Sequence, residues 1–164
     1  MATIREVCAV SLFIFSILIT LRLSGAEDDD QGSEDYKIDI RKFLNTSETI
    51  WTLNTTSKTP HMCKNETKYN ITANETFFTR AYQGSSKEFL QGIFLYNTFY
   101  KEYDAMNVGK PVLFSYNQCE IVYELRVKSS SIKKPDDECF KEYLYSIPYP
   151  KKSALVYNDY CKST

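Results

Sequence analysis

The 164-residue sequence predicts a mostly β protein of one domain, an antiparallel barrel or sandwich with a short helix before the strands and another after them. Three observations point there. From Glu48 onward the chain runs in short stretches rich in Thr, Tyr, Phe, Ile and Val, broken by Asn, Gly, Pro and Lys, the texture of strands and turns. Helical spacing of apolar residues is confined to one segment near each end. The length suits one core and is too short for two.

Taken in order, the first element is a leader. Arg5 precedes an apolar run from Val7 to Leu21, and Ser24-Gly25-Ala26 supplies small residues for cleavage, so residues 1–26 read as a secretory signal. The run is shorter than the roughly 20 residues that span a bilayer. Residues 27–35 are acidic with nothing apolar to bury, which predicts a flexible N-terminus, and residues 36–164 form the single domain. Losing Arg5, Arg22 and Glu6 with the leader takes the chain from 20 basic and 21 acidic residues to 18 and 20, a net charge near −2. That balance offers nothing to nucleic acid, and after cleavage nothing to a membrane.

Ile40, Phe43 and Leu44 stand at helical spacing within Tyr36 to Leu44, a short amphipathic helix. Strands are expected near Thr49 to Thr55, Met62 to Tyr69, Glu75 to Tyr82, Phe89 to Tyr96, Thr98 to Tyr103, Val112 to Tyr116 and Cys119 to Val127, with turns at Gly84-Ser85-Ser86 and Asn107-Val108-Gly109. Pro135 opens the second helix, whose first turn carries Asp136, Asp137 and Glu138 against the positive end of the helix dipole. Cys139, Phe140, Tyr143 and Leu144 share its apolar stripe, it ends before Pro148, and an extended stretch, Ala154 to Tyr160, delivers Cys161. Aromatic residues make up 15% of the chain against five glycines, so large rings line the interior. Those rings either fill the core or wall a pocket, and about eight strands is the barrel size that holds one small ligand.

Two further features place the chain outside the cell. Asn45, Asn54, Asn65, Asn70 and Asn74 each begin an Asn-x-Ser/Thr triplet without proline, an N-glycan acceptor that must face water. Asn65 and Asn70 have opposite parity, so one unbroken strand cannot expose both; Asn70 and Asn74 belong on the turn after the second strand, with Asn65 and Cys63 on an outer wall. Without Cys8, the mature chain keeps Cys63, Cys119, Cys139 and Cys161, an even count that reads as two disulfides with three connectivities open. A zinc site is disfavoured, since no Cys-x-x-Cys pair occurs and His61 is the only histidine.

The stretch Cys119-Glu120-Ile121-Val122-Tyr123-Glu124-Leu125-Arg126, followed by Cys139, resembles the signature of the tick salivary lipocalins of the histamine-binding protein family: Cys-Asp-(Val/Ile/Leu), a spacer, Glu-Leu-(Trp/Tyr), a second spacer and Cys. Asp39-Ile40-Arg41-Lys42-Phe43-Leu44 is similar to that family's N-terminal helix pattern, Asp-x-Trp-Lys-x-Leu. Pro135 to Tyr143 resembles its C-terminal helix, and Tyr160-Cys161-Lys162 its closing cysteine. The resemblance implies a lipocalin-like antiparallel β-barrel, disulfides from Cys63 to Cys161 and from Cys119 to Cys139, and an amine ligand such as histamine or serotonin held by Glu120, Glu124 and Asp39. A protonated amine in a low-dielectric cavity needs a paired anion, and aromatic faces add cation–π attraction.

The departures from that signature are specific. Glu120 replaces Asp, Arg126 replaces the aromatic residue, Arg41 replaces the helix tryptophan, and only Val122 and Tyr123 separate the two motif halves. The short spacer leaves the barrel one hairpin short, or forces its strands to rearrange. On the Cys119 strand, Glu120, Val122, Glu124 and Arg126 share one face, and Ile121, Tyr123, Leu125 and Val127 the other. Arg126 either neutralises Glu124 as a salt bridge or receives the carboxylate of an acidic lipid such as a leukotriene.

Catalysis finds no support: no nucleophile elbow, phosphate loop or metal helix occurs, and no cofactor or metal is implied. Three functions remain: a secreted monomeric scavenger of a host amine, a scavenger of an acidic lipid, or a glycosylated module that binds a host protein with its barrel closed.

Overall fold

The computed structural model describes residues 2–6, 39–111, 120–133 and 135–163. The expected acidic N-terminus, residues 27–35, the strand expected at Val112 to Tyr116, and Cys119 lie outside them, as does most of the expected leader.

Strand β1, Ala2–Glu6, precedes the helix α1, Ile40–Leu44. Five strands follow: β2 (Ile50–Thr55), β3 (Asn65–Ile71), β4 (Glu75–Ala81), β5 (Glu88–Asn97) and β6 (Glu102–Gly109). Then come β7 (Val122–Lys128), the helix α2 (Asp137–Ser146) and the two-residue strand β8 (Ala154–Leu155). The strands form one sheet in the order β3-β4-β5-β6-β1-β7-β2-β8, and β3 also pairs with β2, so the sheet curls back on itself. All pairings are antiparallel except β1 with β6. The mostly β, lipocalin-like architecture with two helices therefore stands.

The first strand falls where the sequence predicts none. β1 lies between β6 and β7, pairing Thr3 with Leu125 and Glu6 with Val122 on one side, and Arg5 with Ala105 on the other. Two other expectations shift. Thr98 to Tyr103 is not one strand: residues 98–101 turn the chain, with Lys101 in the left-handed region at φ 54°, and pairing resumes at Glu102. The expected turn at Asn107-Val108-Gly109 is instead the end of β6, because Val108 and Asn107 pair with Gly92 and Ile93. The turn at Gly84 is present, with φ 72° and the Ser85 amide donating to the Tyr82 carbonyl.

Two apolar clusters hold the fold. Inside the sheet, α1 seals one end by packing Ile40 and Leu44 on Ile50, Phe94 and Met106. The interior is tight there: a methyl at Gly92 would lie 2.9 Å from Met106 Sδ and 3.1 Å from Thr76 Cγ2. On the outer face, Leu53, Tyr123, Leu125 and Val127 are covered by Tyr143 of α2 and by Tyr157 and Cys161 of the C-terminal segment. Only part of the expected α2 stripe is buried. Cys139, Tyr143 and Ile147 face the sheet, whereas Phe140 and Leu144 are exposed. Asp136 caps the helix by accepting from the Glu138 amide at 2.9 Å.

The Cys63–Cys161 disulfide is formed. Cys139 stands as a free, half-buried thiol whose pKa burial pushes up, and its expected partner Cys119 lies outside the described residues. Among the described residues no helix is long and apolar enough to cross a membrane.

Candidate functional site

β7 is buried along both faces, which decides where its charges go. Leu125 and Val127 serve the outer cluster beneath α2, so strand alternation sends Glu124 and Arg126 inward. On the facing wall, Asn65 points outward and Glu66 and Lys64 point in. The result is an alternating chain of charge across the interior: Lys64, Glu124, Arg126, Glu66, Arg80.

Its geometry is close throughout. Lys64 Nζ donates to Glu124 Oε1 at 2.5 Å, and Thr55 Oγ1 to the same oxygen at 3.3 Å. Arg126 donates through Nε and Nη2 to Glu124 Oε2 at 2.8 and 2.5 Å, and through Nη1 to Glu66 Oε2 at 2.9 Å. Arg80 Nε reaches Glu66 Oε1 at 2.7 Å. Arg126 is wholly buried and Glu124 1% exposed. Charges so far from water persist only because each is met by an opposite charge.

Beside this chain lies a cavity of about 170 Å³, lined by Thr55, Lys64, Arg80 and Glu124 within and by His61 and Tyr82 at its mouth. The His61 and Tyr82 rings meet at 4.7 Å between centroids. The cavity opens at the end of the sheet where β2 finishes, opposite the α1 plug. Ile50 packs against the plug and Thr55 touches Glu124, five residues and about 17 Å apart along the strand.

The three carboxylates expected to share a ligand are therefore separated. Glu124 faces the cavity. Glu120 is half-exposed, not among the lining residues, and accepts from the Lys58 amide at 3.0 Å. Asp39 caps α1 at the other end, where Arg41 grips it through Nε at 2.9 Å and Nη2 at 2.8 Å. These bonds hold its carboxyl below the ordinary carboxylate range. Arg41 also lies 3.6 Å above the Tyr103 ring. Arg126 takes the salt-bridge alternative, on Glu124 and Glu66 together.

Lys64, Glu66, Arg80 and Tyr82 were not singled out in the sequence. For two of them a signal was present: if Cys63 and Asn65 face out, Lys64 and Glu66 face in. Arg80 and Tyr82 give no such sign, because a charged strand residue is ordinarily a solvated one. Among the described residues no three His, Cys, Asp or Glu side chains gather as a metal site.

No protein-family model and no curated protein matches the sequence. Among solved structures, the chain is similar to the crystal structure of the AM182 serotonin complex, with a TM-score of 0.53 and 18% identity over 83% of this chain and 97% of that one. At this identity the likeness establishes the shared fold, in which the neighbour holds serotonin.

Proposed function

We propose that this protein is a secreted lipocalin-type scavenger that takes up a host biogenic amine, histamine or serotonin, at the Glu124 end of its barrel and so suppresses host defence at a feeding site. It works by mass action, without turnover. One observation carries the reading: the cavity wall already holds an alkylammonium, Lys64 Nζ, on Glu124 Oε1. A ligand amine would replace that contact with one of the same charge and shape, while Lys64 moves toward the mouth. Arg126 holds the Glu124 carboxylate in place during the exchange, and the Tyr82 and His61 rings line the same cavity, where aromatic groups favour a cation. Size supports the same class, since 170 Å³ is small beside the several hundred ångströms cubed of a drug-sized pocket. The serotonin held by a protein of the same fold adds to it.

A second reading rests on charge. Among the described residues Lys64, Arg80 and Arg126 gather on Glu66 and Glu124, cations of the kind that receive the carboxylate of an acidic lipid. Packing around Phe78, Phe94 and Met106 leaves little room for a long acyl chain, so the amine is preferred.

Calorimetry of the secreted chain with serotonin, histamine and a leukotriene separates the two. The amine reading expects Glu124→Gln to weaken serotonin binding at least about tenfold and Lys64→Met to strengthen it by a similar factor, each about 1.4 kcal/mol. The acid reading expects the reverse for the leukotriene: tighter with Glu124→Gln and weaker with Lys64→Met. Absence of amine heat from both the natural chain and Lys64→Met would overturn the first reading.

A further inference from the structure

The five glycan acceptors do not stand alike in the fold. Asn65 and Asn70 both lie on β3, and both face outward despite their opposite parity, because a bulge between Lys68 and Asn70 resets the alternation. Asn65 pairs with Ala81 and Asn70 with Phe77, residues on the outer face of β4. Asn74 sits on the turn into β4, and Asn45 directly follows α1.

Asn45, Asn70 and Asn74 are exposed. Their side chains are held through oxygen or not at all: Asn45 Oδ1 accepts from Lys68 Nζ at 2.7 Å, and Asn70 Oδ1 from the Ile71 amide at 2.9 Å. No described bond engages Nδ2, the atom that carries a glycan, in any of the three. These three sites also lie together. Lys68 ties Asn45 to β3, and Arg41 Nη1 donates to the Ala73 carbonyl at 3.3 Å, tying α1 to the β3–β4 turn.

Asn54 and Asn65 are half-buried, and their Nδ2 atoms are engaged. Asn54 Nδ2 donates to Ser153 Oγ at 3.2 Å, on the part of β2 flanked by β7 and β8. Asn65 Nδ2 donates to the Cys63 carbonyl at 3.1 Å, beside the disulfide. A sugar on Asn54 would push the Ser153 segment off the outer wall, taking with it the Val156 amide bond to Leu53 at 2.8 Å.

We propose that the folded protein carries N-glycans at Asn45, Asn70 and Asn74 and none at Asn54 or Asn65. The sugars then gather around the α1-plugged end and leave the mouth at His61 and Tyr82 open. This inference rests on the secretion reading and is independent of the ligand. The test is to express the full chain in insect cells, release N-glycans from protein recovered from the medium in heavy-oxygen water, and map the labelled asparagines by mass spectrometry. Label at Asn45, Asn70 and Asn74 alone is expected, together with a one-glycan gel shift for each of Asn45→Gln, Asn70→Gln and Asn74→Gln and none for Asn54→Gln. Majority occupancy of Asn54 or Asn65 in folded protein, or secreted protein bare at the three exposed sites, overturns the placement. A chain that stays in the cytosol overturns the secretion reading instead.

Discussion

Asp39 illustrates how one side chain acts at the residue scale, in a role other than the one its motif suggests. Its carboxylate accepts from the Arg41 amide, closing the first turn of α1, and from the Arg41 guanidinium. Those side-chain bonds lower its pKa, so the ionised form stabilises the folded state. A depressed carboxyl contributes above its unfolded pKa of about 4, and the contribution fades as pH falls through the lower folded value. Asn is an equal cap without the charge, so Asp39→Asn is expected to cost about 1 kcal/mol at neutral pH. The urea midpoints of the two proteins should converge in acid, below the ordinary carboxylate range. A gap that stays constant with pH would show that the charge contributes nothing. Arg126 was legible as the residue in conflict with its motif, and the choice between partner and ligand was not, because Glu66 and Arg80 are distant in sequence.

At the scale of elements, the strands that alternate cleanly were legible and those covered twice were not. β4 shows the pattern plainly, with Thr76, Phe78 and Arg80 buried between half-exposed neighbours. β7 hides it, because α2 covers one face and the charge chain fills the other. The place of β1 could not be read, since parallel pairing with β6 joins residues about a hundred positions apart. It also lies within the expected leader, so cleavage at Ala26 would free the edges of β6 and β7. The α2 contact turns on a single ring: Tyr143 is fully buried against the sheet, its hydroxyl lies 2.8 Å from Ser153 Oγ, and burial raises its pKa. Tyr143→Phe should lose only that hydrogen bond, about 1 kcal/mol. Tyr143→Ala leaves a cavity under the helix and should cost roughly 3 to 5 kcal/mol. Thermal denaturation of the pair checks this, and equal losses would mean that the hydroxyl, not the ring, holds α2 in place.

Over the whole molecule, the chain's C-terminal segment is the strap that keeps the curled sheet closed. It runs along β2 through Ala154 and Leu155, exchanges backbone bonds with Leu53 and Cys63, and ends at Cys161, bonded to Cys63. The sequence showed the even cysteine count, and the pairing came only from the family likeness, since spacing alone leaves three connectivities. Bridging residues 98 apart removes a large share of the unfolded chain's freedom, worth about 5 kcal/mol by loop-closure entropy. That is a large part of the 5 to 15 kcal/mol by which domains are typically stable. The double variant Cys63→Ser with Cys161→Ser is the right test, because removing one cysteine alone would leave its partner free to pair with the Cys139 thiol. Its urea midpoint should fall by an amount equivalent to about 4 to 5 kcal/mol. Neither cysteine lines the cavity, so serotonin affinity measured where the variant is still folded should be unchanged. A loss of stability under about 1 kcal/mol would mean that the hydrogen bonds of the strap, rather than the covalent link, keep the sheet closed. A drop in affinity with the fold intact would mean that the strap shapes the mouth through Lys64, the neighbour of Cys63.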